Sequence, residues 1–203
     1  MISYALTTNT RIKSRLQITT TSFDDVINTM IAAATARIEG ITGRRFASTV
    51  YTNELYDGSD EYGNRKTITI LKEAPVTSFG SIAYKSGSNS NPIWTTMSAD
   101  SYDVSLQDGI IYTSMPSGIQ NIRVVYTAGY AINFTDPYTA GSHALPFEIT
   151  EVCERMVVKM FKKRDSEGRS QESFGDSSIT WDSSYISAED MTTILGYTRN
   201  DFI

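Results

Sequence analysis

One histidine and one cysteine limit the chemistry open to this 203-residue chain. A Ser-His-Asp or Cys-His relay would have to run through His143, in the segment TAGSHALP that reads as the loop before a helix. A lone loop histidine is ordinarily just solvated. Cys153 falls on the apolar stripe of the following helix, so it reads as core and not as a nucleophile. Zinc needs several His or Cys ligands, and one of each does not make a site. The run DGSDEYGN (Asp57 to Asn64) is rich in oxygen donors. It lacks the ordered spacing and closing Glu of an EF-hand loop, and a hairpin turn accounts for it. Neither a G-x-G-x-x-G nor a G-x-x-x-x-G-K-[ST] phosphate loop occurs. The paired carboxylates Asp24 and Asp25 sit in a helix first turn, where the dipole explains them. Catalytic, metal and cofactor residues are therefore assigned to none, and the chain reads as a component and not an enzyme.

Composition narrows the class further. Hydrophobic residues at 40% and charged residues at 20% describe an ordinary folded protein. A net charge of −5 argues against holding nucleic acid by bulk electrostatics, which needs clustered Lys and Arg to displace counterions. One cysteine allows no intramolecular disulfide and fits a reducing compartment. No apolar run approaches the roughly 20 residues of a membrane-spanning helix. The opening MISYALTTNTRIK lacks a basic start followed by an apolar core, so no signal peptide is expected and synthesis in the cytoplasm is.

The elements around these residues follow from periodicity. Thr10 to Leu16 is expected to be a short helix carrying Arg11, Lys13 and Arg15. A longer helix is expected from Ser22, taken as N-cap, to a stop at Gly43. Its apolar face is expected at three- and four-residue steps through Phe23, Val26, Ile27, Met30, Ile31, Ala34, Ile38 and Ile41. Ala32, Ala33 and Ala36 would let another backbone approach closely, as a subunit contact with Arg37, Arg44 and Arg45, or they simply serve helix propensity. The period then shifts to two. Strands are expected over Val50–Leu55, Thr67–Leu71, Ser78–Tyr84, Tyr102–Leu106, Ile110–Thr113 and Ile122–Tyr126, with Asp108-Gly109 as a tight hairpin turn. Thr127-Ala128-Gly129 is expected to reverse the chain toward a second long helix. That helix starts near Pro146, keeps Ile149, Val152, Cys153, Met156, Val157, Met160 and Phe161 on one stripe, and stops near Gly168.

Beyond Gly168 the composition changes. Ser170 to Ile203 holds six acids against one base, so this stretch carries a charge equal to that of the whole chain. Ser187 with Asp190 marks another helix start, ended by Gly196. Phe174, Trp181, Tyr185, Ile186, Leu195, Tyr197 and Phe202 are large apolar groups with little local core, suited to anchoring an interface. The stretch is either a disordered tail or an arm that orders on a partner.

Several segments, in order, resemble the phage head–tail connector family, the head-completion or adaptor proteins of long-tailed phages and gene-transfer agents. They are IAAATARIEGITGRRF (Ile31 to Phe46), LYDGSD (Leu55 to Asp60), EAPVTSFGSI (Glu73 to Ile82), VVYTAGY (Val124 to Tyr130), the Leu145-Pro146 step, ESFGDSSITW (Glu172 to Trp181) and Leu195 to Tyr197. The polar stretch from Tyr84 to Asp100 is longer than the pattern leads one to expect.

The resemblance implies an α+β protein with a small helical core of two main helices plus short N- and C-terminal helices. A β-sheet or sandwich-like insertion lies between the helices. Its parts would be residues 1–48 (N-terminal helical part), 49–130 (β insertion), 131–168 (second core helix) and 169–203 (portal-docking arm). It further implies a virion protein of the neck, present in the host cytoplasm during assembly. Its partners would be a portal protein, neighbouring copies in a ring of about twelve, and a stopper or tail-completion protein. DNA would pass through the lumen without sequence-specific binding, and no membrane is involved. Two other readings remain open: another neck or tail-completion protein, and a carbohydrate-binding β module using Trp94 as a stacking platform.

Overall fold

A computed structural model of the chain describes residues 4–88, 91–132, 134, 144–164, 171–174, 177–180 and 185–198. The fold is α+β and divides into two compact units. A helical unit takes in Met1–Gly43 and Leu145–Thr198, and a β unit is built on Arg44–Ile132.

In the helical unit, α1 (Asn9–Leu16) opens with Thr8, whose hydroxyl accepts from Arg11 N–H, and closes on Gln17 in the left-handed region. The longest helix, α2 (Asp24–Thr42), ends as its sequence dictates: Gly43 takes φ +66° and its N–H returns to Glu39 O at 2.9 Å. Its start differs from expectation. The N-cap is Phe23 and makes no side-chain cap bond, while the Ser22 hydroxyl pairs with Thr20 at 3.0 Å. Asp24 in the first turn pairs with Lys13 Nζ of α1 at 2.9 Å. The third helix, α3 (Phe147–Lys163), begins directly after Pro146. Ile149, Val152, Cys153, Met156, Val157 and Phe161 are buried, as its stripe requires, and Met160 is half-buried. Its described end is Lys163, and Gly168 lies outside the described residues. The core is completed by Leu6, Ile12, Ile27, Ile31, Ile38 and, from the last helix, α4 (Ala188–Leu195), Ile194.

The β unit has two antiparallel sheets. One has the order β1-β7-β3-β4, made of Thr49–Tyr56, Ile122–Ala128, Val76–Ser88 and Asn91–Thr96. The other has the order β2-β6-β5, made of Ile68–Ile70, Ile110–Tyr112 and Asp103–Ser105. They share a core of Leu71, Val76, Ile82, Ile111, Met115, Ile122, Val124, Tyr126 and Ala128. Strand β7 alternates buried and half-buried without a break, as the central strand of a half-solvated sheet must. Two strands that alternation had not marked complete the chain, β8 (Gln171–Phe174) and β9 (Ser177–Thr180), paired with each other.

Two expectations are corrected here. The polar stretch after Tyr84 is not a long loop: β3 continues to Ser88 and pairs with β4, Lys85 opposite Trp94. The Trp94 indole then lies under the Arg123 guanidinium at 4.7 Å, so a cross-strand cation–π contact holds a sequence that looked too polar for a strand. Gly129 does not reverse the chain either. Its N–H donates to Pro75 O at 3.0 Å, and Tyr130 forms a bridge with Ala47. A Cβ there would stand 2.7 Å from Ala47 O, at φ +107°. Glycine is needed for close backbone approach, not for a turn. The Asp57-Gly58 step is subject to the same constraint. Gly58 N–H donates to Asn121 Oδ1 at 2.9 Å, and a Cβ would stand 1.9 Å from Pro116 O. The Asp57-to-Asn64 run is a turn, closed by the Ser59–Arg65 bridge and by Asp60 accepting from the Tyr62 and Asn64 N–H groups.

Gly58→Ala should therefore cost about 1–3 kcal/mol through overpacking against backbone that has nowhere to move. Denaturant unfolding will measure it. An exposed glycine with open space around it, Gly40, supplies the control: Gly40→Ala in mid-helix should be neutral or stabilising.

Candidate assembly surfaces

The helical unit is held by two consecutive residues of α3. Glu154 is only 1% exposed, yet it is fully engaged. Arg11 and Arg15, one turn apart on α1, reach it with their Nε atoms at 2.5 and 2.6 Å, and the Thr7 hydroxyl donates at 3.0 Å. Arg155 points to α4, where its Nε and Nη2 meet Asp190 Oδ1 at 2.8 and 2.5 Å. Glu151 lies between, 3.0 Å from Arg155 and 3.9 Å from Arg15. Asp190 also closes a capping box with Ser187. Burial would raise its carboxyl pKa, but hydrogen bonds from Ser187 and Arg155 outweigh that and lower it. The three basic side chains of α1 were visible in the sequence, but their carboxylate partners were not. The available signal was Glu154 itself, an acid between Thr150 and Val157 on the buried side of the stripe.

With its apolar stripe committed inward, α2 presents a bare outer face. Ala32, Ala33, Ala36 and Arg37 are exposed; Val26, expected on the apolar stripe, is instead 40% exposed, because it flanks the buried Ile27. The Arg44-Arg45 pair divides. Arg44 is engaged inside the β unit: it donates to Ala74 O, its Nε is 3.8 Å from Glu73 Oε2, and its guanidinium lies over Phe46 and Tyr130 at 5.5 and 5.8 Å. Its side chain is 9% exposed, so burial and these contacts leave little of it for a neighbouring copy. Arg45 is exposed, and its backbone N–H donates to Glu73 Oε1 at 3.1 Å.

The residues marked in the C-terminal stretch fall into three groups. Ile186 is 8% exposed, Tyr185 is half-buried with Lys163 Nζ 5.3 Å over its ring, and the Tyr197 hydroxyl donates to Glu148 Oε2 at 3.0 Å. These have partners within the helical unit, contrary to the expectation of little local core. Leu195 is 53% exposed. Phe174 is the last residue of β8, while Trp181 and Phe202, like His143, lie outside the described residues.

No chemistry assembles around the nucleophilic and acidic groups that are described. The Cys153 thiol is buried and its pKa is pushed up to about 12, chiefly by burial. Among the described residues there is no group of three or more His, Cys, Asp or Glu able to hold a metal ion, and no helix is long and apolar enough to cross a membrane. In the β unit, Tyr56 and Tyr126 both donate to Glu54 Oε2, at 2.5 and 2.7 Å, and Tyr51 stacks on Tyr126 at 5.0 Å. Burial is the main reason all three phenols titrate high, Tyr51 at about 12, so they act as neutral donors and packing.

Residues 8–89, spanning α1 to β3, match the model of the phage gp6-like head–tail connector protein family. Two solved structures share the fold. One is a chain from the neck of an empty gene transfer agent particle computed with C6 symmetry, with TM-score 0.56 and 14% identity, covering 96% of this chain and 90% of that one. The other is from the virion of the native gene transfer agent particle, with TM-score 0.50 and 13% identity, covering 96% and 89%. No curated protein matches the sequence.

Two outcomes are expected. Because the Asp190 carboxyl titrates lower when folded than when unfolded, its contribution is present above about pH 4 and is lost as pH falls through the folded value. The Tm difference between the wild-type chain and Asp190→Asn should stay constant from pH 7 to 5 and shrink below about pH 4. Cys153 should not react with a thiol-specific disulfide reagent in the native state and should react fully in denaturant. Rapid native labelling would place it at the surface.

Proposed function

We propose that the protein is a ring subunit of the neck of a phage or phage-like particle, seated between portal and tail, and that it has no catalytic role. The observation that carries this reading is the match of residues 8–89 to the connector family, because that stretch contains α2, the helix whose outer face is left bare. Small residues at Ala32, Ala33 and Ala36 allow a neighbouring copy's backbone to approach closely, with Arg37 and Arg45 beside or beyond the patch. Head-to-tail contacts of this kind close into rings when the rotation permits. The similar neck structure was computed with C6 symmetry, which a ring of twelve contains. The net charge of −5 fits a protein that DNA passes without being gripped.

In this reading the portal-facing groups are Leu195, which is exposed, and Trp181, which follows the β8–β9 hairpin in sequence. A stopper or tail-completion protein would meet the opposite side of the ring. Assembly takes place in the host cytoplasm and no membrane takes part. Carbohydrate binding is disfavoured by a specific contact: Arg123 covers a face of the Trp94 indole that a sugar would need.

Electron microscopy of the protein mixed with its portal tests the reading. A closed ring stacked on the portal is the expected result. Ala36→Trp should abolish ring closure while leaving the unfolding midpoint unchanged, since the position is exposed. Leu195→Asp should release rings from portals without dissolving them. Portals that carry no added density would instead assign the chain to the tail side.

A further inference from the structure

Strand β2 leaves one edge open beside a ready-made cleft. Leu71 N–H donates to Gly109 O at 2.8 Å, and Thr67 O accepts from Thr113 N–H at 3.0 Å, so the odd-numbered positions face β6. Antiparallel alternation then turns the N–H and C=O groups of Ile68 and Ile70 the other way. The order β2-β6-β5 supplies no strand on that side, and no backbone partner for either residue occurs among the described residues. Alongside lies a cleft of about 830 Å³ lined by Tyr56, Tyr62, Arg65, Ile68, Ile70 and Ile119 among others. Tyr62, Ile68 and Ile119 are 82%, 52% and 78% exposed. An edge with apolar side chains on view and, among the described residues, no proline, bulge or covering strand is one that natural sheets ordinarily protect.

The same chain contains the converse. The β8–β9 hairpin forms a two-stranded sheet of its own, so each of its strands also has an open edge. A two-stranded hairpin by itself is marginal in water and requires further strands or a packing partner. Both halves of a strand-addition contact are thus present in every copy, one lacking a strand and the other lacking a sheet.

We propose that the β8–β9 hairpin of one copy adds to the β2 edge of a second copy, its backbone completing the Ile68 and Ile70 ladder beside the cleft between Tyr62 and Ile119. This is strand augmentation, in which main-chain bonds give affinity and alternate side-chain pockets give specificity. The contact is heterologous, so repetition links copies head to tail. It rests on the ring reading and adds a second intersubunit contact to the α2 face.

Mixed cysteine cross-linking tests it in the full chain. Copies carrying Ile68→Cys are mixed with copies carrying Ser173→Cys or Ser178→Cys, alone and with portal, and treated with a short bismaleimide while sedimentation reports the oligomeric state. The expected result is a 68–173 or 68–178 dimer, reduced at least tenfold by the further change Ile119→Asp. Val50→Cys, exposed on the other sheet, should give none in place of Ile68→Cys. Oligomers without the 68–173 or 68–178 product overturn the hairpin as occupant and leave the ring standing. A chain that stays monomeric at every concentration, with portal and without, overturns both. A cross-link formed only within one chain carrying both cysteines also overturns the proposal, because the hairpin would then cover its own edge.

Discussion

The helical unit depends on a pair of adjacent opposite charges on α3. Successive residues of a helix point about 100° apart, so Glu154 and Arg155 necessarily address different neighbours. Glu154 receives two arginines and a threonine from the N-terminal segment, and Arg155 grips the cap aspartate of α4. An unpartnered carboxylate at 1% exposure would cost several kcal/mol, and the three donors remove that cost only if α1 lies across α3 in this one register. Hydrophobic burial brings the helices together without specifying how they slide; the charges choose the position. The lowered carboxyl pKa of Asp190 has the same origin, since the ionised form is the one its partners bind.

The β unit is specified differently, by places where no side chain fits. At Gly58 the Asp57–Ser59 turn is drawn against the Pro116–Asn121 loop, and at Gly129 the end of β7 passes against the backbone of Ala47. Asn121 completes the first of these by accepting from Gly58 and donating to Pro116 and Ser117 carbonyls. These glycines fall in the LYDGSD and TAGY segments that make the sequence resemble the connector family, and the structure supplies the reason. A fingerprint of weak motifs is, physically, a set of close backbone approaches.

What was legible in the sequence is what repeats along it. The stripes of α2 and α3, the Ser187–Asp190 box, the Gly43 stop and six of the strands follow from period and capping chemistry, which are local. The misses, one N-cap aside, are tertiary. Phe23 stands at the N-cap in place of Ser22, whose hydroxyl pairs with Thr20. Strand β4 was hidden because its stability comes from Arg123 on β7, about thirty residues later in the chain. Arg44 looked free for a partner, since nothing local indicates that Glu73 and two aromatic rings will surround it. The aromatic and aliphatic residues near the C-terminus looked unhoused because their hosts, Glu148 and Lys163, lie on α3.

Among the described residues, the surfaces proposed to carry contacts are modest: a helix face of alanines, a three-residue strand edge and the exposed Leu195. In a pairwise complex such patches would be weak, since ordering two molecules costs several kcal/mol before any contact contributes. A closed ring changes the balance. In the proposed ring each copy would use two faces, and the last copy would close two contacts for one loss of freedom, so the final bond would form at a high effective concentration. Contacts too weak to hold a dimer can then hold a ring, and a scaffold with matching symmetry lowers the cost for every copy it receives. Weak faces also keep free copies apart before that scaffold exists, helped by mutual repulsion at a net charge of −5. If the chain is a ring subunit as proposed, bare alanines and open edges would let it assemble where its partner is and not elsewhere, which large apolar patches would not.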